Sequence, residues 1–318
     1  MPRKPRIHNP GAVYHVILRG NARQDIFFDA EDRRRFFVLL QEGIKRFGYR
    51  LHGYCLMTNH LHLVIQVGEI PLSRIMQNLS LRYTKWINWR QNRIGHLFHG
   101  RYKAVMVEAD NYLAQLVAYL HLNPVRAGIG EDPIEYPWSS YRAYLGLEQA
   151  PWLTTEPVLS QFSSREKRAR ELFREFVVEC AQDGHRPEFH GKNKADGRVY
   201  GNDAFVEEVL RNEPTEPAAV TIDNVLAAVH EICGLSVEEM RSPSKGILVS
   251  QGRALAAWAV LYFSDGTLTE LGRNVGRDIT TLSSAAKRLL SRSKKDAKIA
   301  ARMDSVRKAA LEFARLQS

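Results

Sequence analysis

The side chains of this sequence best suited to chemistry are two histidines one residue apart, His60-Leu61-His62, and a tyrosine one helical turn before an asparagine, Tyr119 and Asn123. Paired imidazoles supply half of a divalent-metal site, because neutral imidazole is a good ligand for such ions. A phenol becomes a nucleophile once its proton is removed, and an amide oxygen can complete a metal's coordination. The bland alternative for His-x-His is a pair of ordinary polar residues on a solvated sheet face.

Those residues need elements to aim them. Asn59 to Gln66 reads as a strand, so His60, His62, Val64 and Gln66 share one face while Leu61, Leu63, Ile65 and Val67 go to the other. A helix begins near Asp110 and is stopped by Pro124; Leu113, Leu116, Val117 and Leu120 fall at the spacing of a buried stripe. Tyr119 and Asn123 then stand one above the other and could face the imidazoles across a cleft. Upstream, Ala12 to Leu18 predicts a strand ending at Arg19, Asp29 caps a helix, and Arg50 to Met57 forms a hairpin with the histidine strand. Pro71 opens a second helix, and Gly95 to Glu108 supplies a last strand on which Arg101 and Lys103 share a face. Strand, helix, hairpin is the start of a ferredoxin-like unit, with the His60 strand expected at the centre of an antiparallel sheet.

Four segments carry a resemblance. Met57-Thr58-Asn59-His60-Leu61-His62, Gly100-Arg101-Tyr102-Lys103, Tyr119-Leu120-His121-Leu122-Asn123-Pro124-Val125-Arg126-Ala127-Gly128 and Trp138-Ser139-Ser140-Tyr141 resemble, in this order, the single-tyrosine HUH transposases, and most closely the REP-associated tyrosine transposases. Thr58 departs from the proline usual in the turn, which touches turn rigidity and not chemistry. The resemblance implies a DNA transposase, a single-strand endonuclease and strand transferase. Its substrate would be single-stranded DNA folded into an imperfect-palindrome hairpin. Tyr119 is then the nucleophile, leaving a 5′-phosphotyrosine and a free 3′-hydroxyl. His60, His62 and the Asn123 carbonyl would hold Mg²⁺ or Mn²⁺, which withdraws charge from the phosphoryl oxygens. Tyr112, Tyr102 and Tyr83 are the rival nucleophiles. Asn59 could orient His60 or be a plain turn residue, and Arg126 could touch phosphate or compensate a helix C-terminus. His121 is expected to pack or to touch DNA. A catalytically silent regulator that binds hairpins and duplex sites is the second reading, and a nuclease acting by water attack the third.

Composition fits a polyanion partner. The chain has 318 residues and a net charge of +10. Residues 1–150 carry 20 Lys/Arg against 12 Asp/Glu, residues 151–220 carry 10 against 13, and residues 221–318 carry 15 against 10, so two basic modules flank an acidic middle. Arg3, Lys4 and Arg6 at the start could lie on phosphates, as could Arg19, Arg101 and Lys103, and that start lacks the apolar segment of a signal peptide. The three widely spaced cysteines suit a reducing cytoplasm, with nucleoid association implied by DNA, and no apolar run is long enough to span a bilayer. The form expected is a monomer or a homodimer.

The expected organisation is α+β: a transposase domain over 1–150, a helical and loop linker over 151–218, and an all-α module over 219–318. That last module resembles the helix-turn-helix DNA-binding domain of the replication initiator DnaA. Arg253 matches its basic-loop arginine, and Gly276-Arg277-Asp278-Ile279-Thr280-Thr281 its signature, with Ile279 in place of histidine. Arg277, Thr280 and Thr281 are thus expected at duplex DNA, since the first residues of a recognition helix reach base edges. A helical bundle making protein contacts is the alternative.

Overall fold

The computed structural model describes residues 7–192, 196–211, 220–244, 246–293 and 295–316. Arg3, Lys4 and Arg6 lie outside the described residues. The chain divides into two compact units, Met1–Pro214 and Thr215–Ser318.

In the first unit, β1 (Val13–Arg19) leads to α1 (Ala30–Phe47), where Asp29 caps the free amides of Glu31 and Asp32. The hairpin β2 (Arg50–Leu56) and β3 (His60–Gln66) follows, then α2 (Leu72–Arg90) and β4 (Lys103–Val107). Next come α3 (Ala109–His121), α4 (Asn123–Arg126), α5 (Tyr141–Tyr144), α6 (Glu156–Leu159), α7 (Glu166–Cys180), β5 (Val199–Tyr200) and α8 (Asp203–Arg211). The strands form one sheet in the order β2-β3-β1-β4-β5, antiparallel except for the β4–β5 pair.

The sheet differs from expectation in two ways. β1, not the His60 strand, is central, because it pairs on one side with β3 and on the other with β4. The last strand is five residues rather than the whole of Gly95 to Glu108, and Arg101 stands in a bend before it. Arg101 and Lys103 therefore do not share a strand face.

Register decides what the sheet presents. Ile17 pairs with both His62 and Lys103, so Lys103, Ile17 and His62 form one cross-strand row; Arg19 and His60 form the next. His15, two residues before Ile17, lies on the same face. Leu61, Leu63 and Ile65 alternate to the other face and are fully buried. A bulge between Leu51 and Gly53 in β2 sets Gly53 opposite Val64. A Cβ on Gly53 would meet Val117 of α3 at 3.5 Å, which puts α3 over the face that carries the histidines. His121 of α3 is buried and hydrogen-bonds the Ser140 hydroxyl at 2.8 Å, and that hydroxyl also accepts from the Tyr54 amide at 3.1 Å. The helix is thereby pinned to the edge of β2.

The stretch expected to link two domains instead belongs to the first unit as far as Pro214. Helix α7 buries Ala169, Phe173 and Val177, spaced by four, and packs on α3. β5 extends the sheet, and the Asn202 amide donates to the Glu108 carboxylate at 2.8 Å.

The second unit is all helix: α9 (Ile222–Cys233), α10 (Val237–Arg241), α11 (Ile247–Tyr262), α12 (Leu268–Val275), α13 (Ile279–Ser293) and α14 (Ala297–Leu316). Helix α11 is buried along most of its length and packs against α9 and α13. Gly276 ends α12 in the left-handed region at φ 61°, and Asp278 accepts from the Thr281 amide at 2.8 Å to start α13.

Candidate active site

Two hydrogen-bond relays set which nitrogen of each imidazole carries the proton. The His15 Nδ1 lies 2.8 Å from the Phe189 carbonyl oxygen, which can only accept, so Nδ1 is the protonated nitrogen. Burial holds the His15 pKa down to about 3, so the ring is neutral and Nε2 keeps its lone pair. That Nε2 is 2.9 Å from the His62 Nδ1, which must therefore donate. His62 is buried and neutral as well, its pKa pushed well below the usual value by desolvation and then by His15 and His60, and its lone pair is left on Nε2. The second relay is shorter. The His60 Nδ1 donates to the Asn59 Oδ1 at 2.7 Å, while the Asn59 Nδ2 donates to the Arg23 carbonyl at 3.3 Å. Burial, then Arg19, lowers the His60 pKa to about 4. Both members of the His-x-His pair thus present an unprotonated Nε2.

Tyr119 enters from α3. It is 3% exposed, and its hydroxyl is 2.7 Å from the His190 Nε2. The His190 ring is 5.9 Å from His15 and 6.0 Å from His62 between centroids, and Tyr119 is 6.4 Å from His15, so the three imidazoles and the phenol form one cluster. His60 joins at its edge, 5.1 Å from His62. Burial raises the Tyr119 pKa, Arg126 opposes that and Glu188 adds to it. Arg126 lies 4.4 Å over the phenol ring, and its Nη1 donates to the Tyr119 carbonyl at 3.0 Å.

Leu122 breaks the helix between α3 and α4, so the helical run goes past Pro124 after a kink instead of stopping there. The Asn123 Nδ2 donates back to the carbonyls of Tyr119 at 3.1 Å and Leu120 at 3.3 Å, which leaves Oδ1 without a protein partner among the described residues. No hydrogen bond joins Asn123 to either imidazole. Among the described residues no group of three or more His, Cys, Asp or Glu side chains could hold a metal ion. Two unprotonated Nε2 atoms from one strand face and the Asn123 amide oxygen are donor types that suit a divalent cation.

His15, Phe189 and His190 are the members that sequence reasoning missed. The last two sit on a tight 3₁₀ turn, Pro187–His190, closed by Gly191 at φ 63°. A Cβ on Gly191 would lie 2.2 Å from the Gly197 carbonyl oxygen, so only glycine fits there. Arg19 and Lys103 are exposed beside the cluster, Arg19 directly across from His60. Tyr112, a rival nucleophile, packs its ring against Tyr200, 4.6 Å between centroids and tilted by 51°. Tyr83 is buried and donates to the Ile26 carbonyl at 2.7 Å.

Comparison with known families picks out this same part of the chain. Residues 10–123 match the IS200-like transposase family. The matched stretch holds His15, Arg19, His60, His62, Lys103, Tyr119 and Asn123; Arg126 and His190 lie beyond it. A solved structure of a REP-associated tyrosine transposase bound to a REP hairpin is similar at 14% identity and a TM-score of 0.41, over 48% of this chain and 92% of that one.

In the second unit the expected DNA residues separate. Arg253 is 7% exposed, and its guanidinium donates to the carbonyls of Met240 at 2.6 Å, Ser244 at 2.8 Å and Ser242. It thus ties α11 to the end of α10 and to the segment that follows, and it lines one groove with Arg277 and Thr281. Arg277 donates to the carbonyls of Gly276 at 2.7 Å and Ser242 at 2.6 Å. Thr280 and Thr281 are exposed on the first turn of α13, and Arg288 and Arg292 line a groove of about 700 Å³ between α11 and α13. No helix among the described residues is long and apolar enough to cross a membrane.

Proposed function

We propose that the protein is a transposase that cuts and rejoins single-stranded DNA through a covalent bond to Tyr119. The observation that carries this reading is the cluster itself: the Tyr119 hydroxyl against the His190 Nε2, in a group of rings that also holds His15 and His62. A divalent ion, Mg²⁺ or Mn²⁺, held by His60, His62 and the Asn123 Oδ1, would supply charge withdrawal from the scissile phosphate. Arg126 keeps Tyr119 oriented through its backbone bond and its place over the ring. Arg19 and Lys103 add positive charge where a phosphate backbone would run. Attack by the phenol oxygen leaves a 5′-phosphotyrosine and a 3′-hydroxyl, and the bond energy kept in that link allows the reverse reaction to join another end. A hairpin is the substrate implied by the motif resemblance. The second unit would add affinity for duplex DNA through the first turn of α13, in the manner of a helix-turn-helix.

One observation favours a second reading, a silent hairpin-binding regulator: Tyr119 is nearly inaccessible beneath Phe189 and His190. The test is incubation of labelled hairpin oligonucleotides with the protein and Mn²⁺. A denaturation-resistant adduct that Tyr119→Phe abolishes is expected. Binding without adduct for every hairpin tried supports the regulator, and cleavage that survives Tyr119→Phe supports a water-using nuclease.

A further inference from the structure

A buried phenol is a poor nucleophile until something accepts its proton. The cluster contains one atom placed to do so. The His190 Nε2 is 2.7 Å from the Tyr119 hydroxyl, within the range required of a general base. His15 has both ring nitrogens bonded, and the Nδ1 atoms of His62 and His60 are bonded to His15 and Asn59; among the described residues the hydrogen bond of the Tyr119 hydroxyl is to His190. A phenol O–H is the stronger acid of the two partners, so the favoured arrangement has Tyr119 donating to an unprotonated Nε2. His190 is also half-buried, with the exposed His185 ring stacked on it at 5.0 Å and 22°. Burial, then His185, Lys103 and Arg19, lowers the His190 pKa to about 4, so the ring is neutral and can accept at Nε2.

From this geometry we infer that His190 is a catalytic residue, the base that receives the Tyr119 proton as the phenol oxygen attacks phosphorus. The inference rests on the reading of Tyr119 as nucleophile and deepens it. The Tyr119 Oη–H bond breaks and its proton passes to the His190 Nε2. The Oη–P bond forms, the P–O3′ bond breaks, and the electron pair stays on the 3′-oxygen. The 3′-oxygen leaves from the opposite side of phosphorus and takes its proton from water, while the imidazolium gives its own proton back to water, so atoms and charge balance. In the joining direction the Tyr119 oxygen is the leaving group, and the protonated Nε2 returns a proton to it while the incoming 3′-hydroxyl gives its proton to water. The base therefore comes from a segment outside residues 10–123, on a turn whose position is fixed by Gly191 and by the Phe189 carbonyl bond to His15.

The experiment is single-turnover adduct formation on a labelled hairpin with Mn²⁺, using the full chain and its His190→Ala and His190→Gln variants, with hairpin affinity measured alongside. Glutamine can keep a hydrogen bond to Tyr119 and fill the site but cannot carry the proton, so it guards against a loss caused by misfolding. Both variants are expected to slow the adduct step by about a hundredfold or more while hairpin affinity stays near wild type. Added imidazole is expected to accelerate the alanine variant and not the wild type. An alanine variant as fast as wild type or faster overturns the inference, because His190 would then only cover the phenol. A glutamine variant that restores the rate also overturns it, leaving His190 a positioning residue. Absence of any adduct in the wild type fails the transposase reading itself and takes this base with it, an outcome distinct from equal rates in wild type and variant.

Discussion

His15 and His62 in the first unit and the guanidinium of Arg253 in the second are all buried, and they are buried to different ends. His15 and His62 hydrogen-bond side chain to side chain, and the pair leaves a lone pair on the His62 Nε2. Arg253 donates from three of its five N–H groups to backbone carbonyls. The polar burial in the first unit fixes the tautomer of a ring; in the second it ties α11 to the segment after α10. What separates the two regions is the kind of partner, side chain in one and backbone carbonyl in the other, and not burial alone.

The largest expected effect lies on the structural side. Arg253→Ala leaves three carbonyls without their donor and is expected to cost the second unit about 3 kcal/mol in urea unfolding, with adduct formation on a hairpin unchanged. A loss of adduct formation at unaltered stability would break the contrast. On the reactive side, His15→Ala removes the acceptor that keeps the His62 proton on Nδ1. Mn²⁺ affinity, read by electron paramagnetic resonance, is expected to fall by roughly 10- to 100-fold. Affinity equal to wild type would mean that the His62 tautomer needs no partner.

Acid gives a graded effect. His15 and His121 are buried with pKa values held down to about 3, and His62 is lowered as well, against an unfolded value of 6.5. The unfolded chain binds the extra protons, so stability is full above about pH 7 and is lost as pH falls from 6.5 toward the folded values. The slope should approach about 1.4 kcal/mol per pH unit for each buried imidazole. The second unit buries no histidine among its described residues. Hydrogen exchange at pH 5 should therefore show the first unit loosening before the second, and His121→Gln should lower the slope by one imidazole's share. Simultaneous loosening would count against the contrast.

Much of the site was legible because it follows local periods. Alternation along Asn59 to Gln66 puts His60 and His62 on one face, and helical spacing sets Tyr119 over Asn123. His15 needed the register of β1 against β3, which no local pattern states. His190 stands 71 residues beyond Tyr119, on a turn with no period, in a polar glycine-bearing stretch that reads as a link. The linker expectation failed where a signal was present, since Ala169, Phe173 and Val177 repeat every four residues beneath the charges of α7. The carbonyl bonds of Arg253 were not legible either, because likeness to a motif says which residue is there and not what it donates to.

The most direct measurement of the central claim is mass spectrometry of the trapped covalent complex after trypsin. Cleavage after Lys103 and Arg126 releases one peptide that contains both Tyr112 and Tyr119. The account predicts a nucleotide mass fragmenting to Tyr119 and to no other residue. A modification on Tyr112, or on any residue outside that peptide, would contradict it.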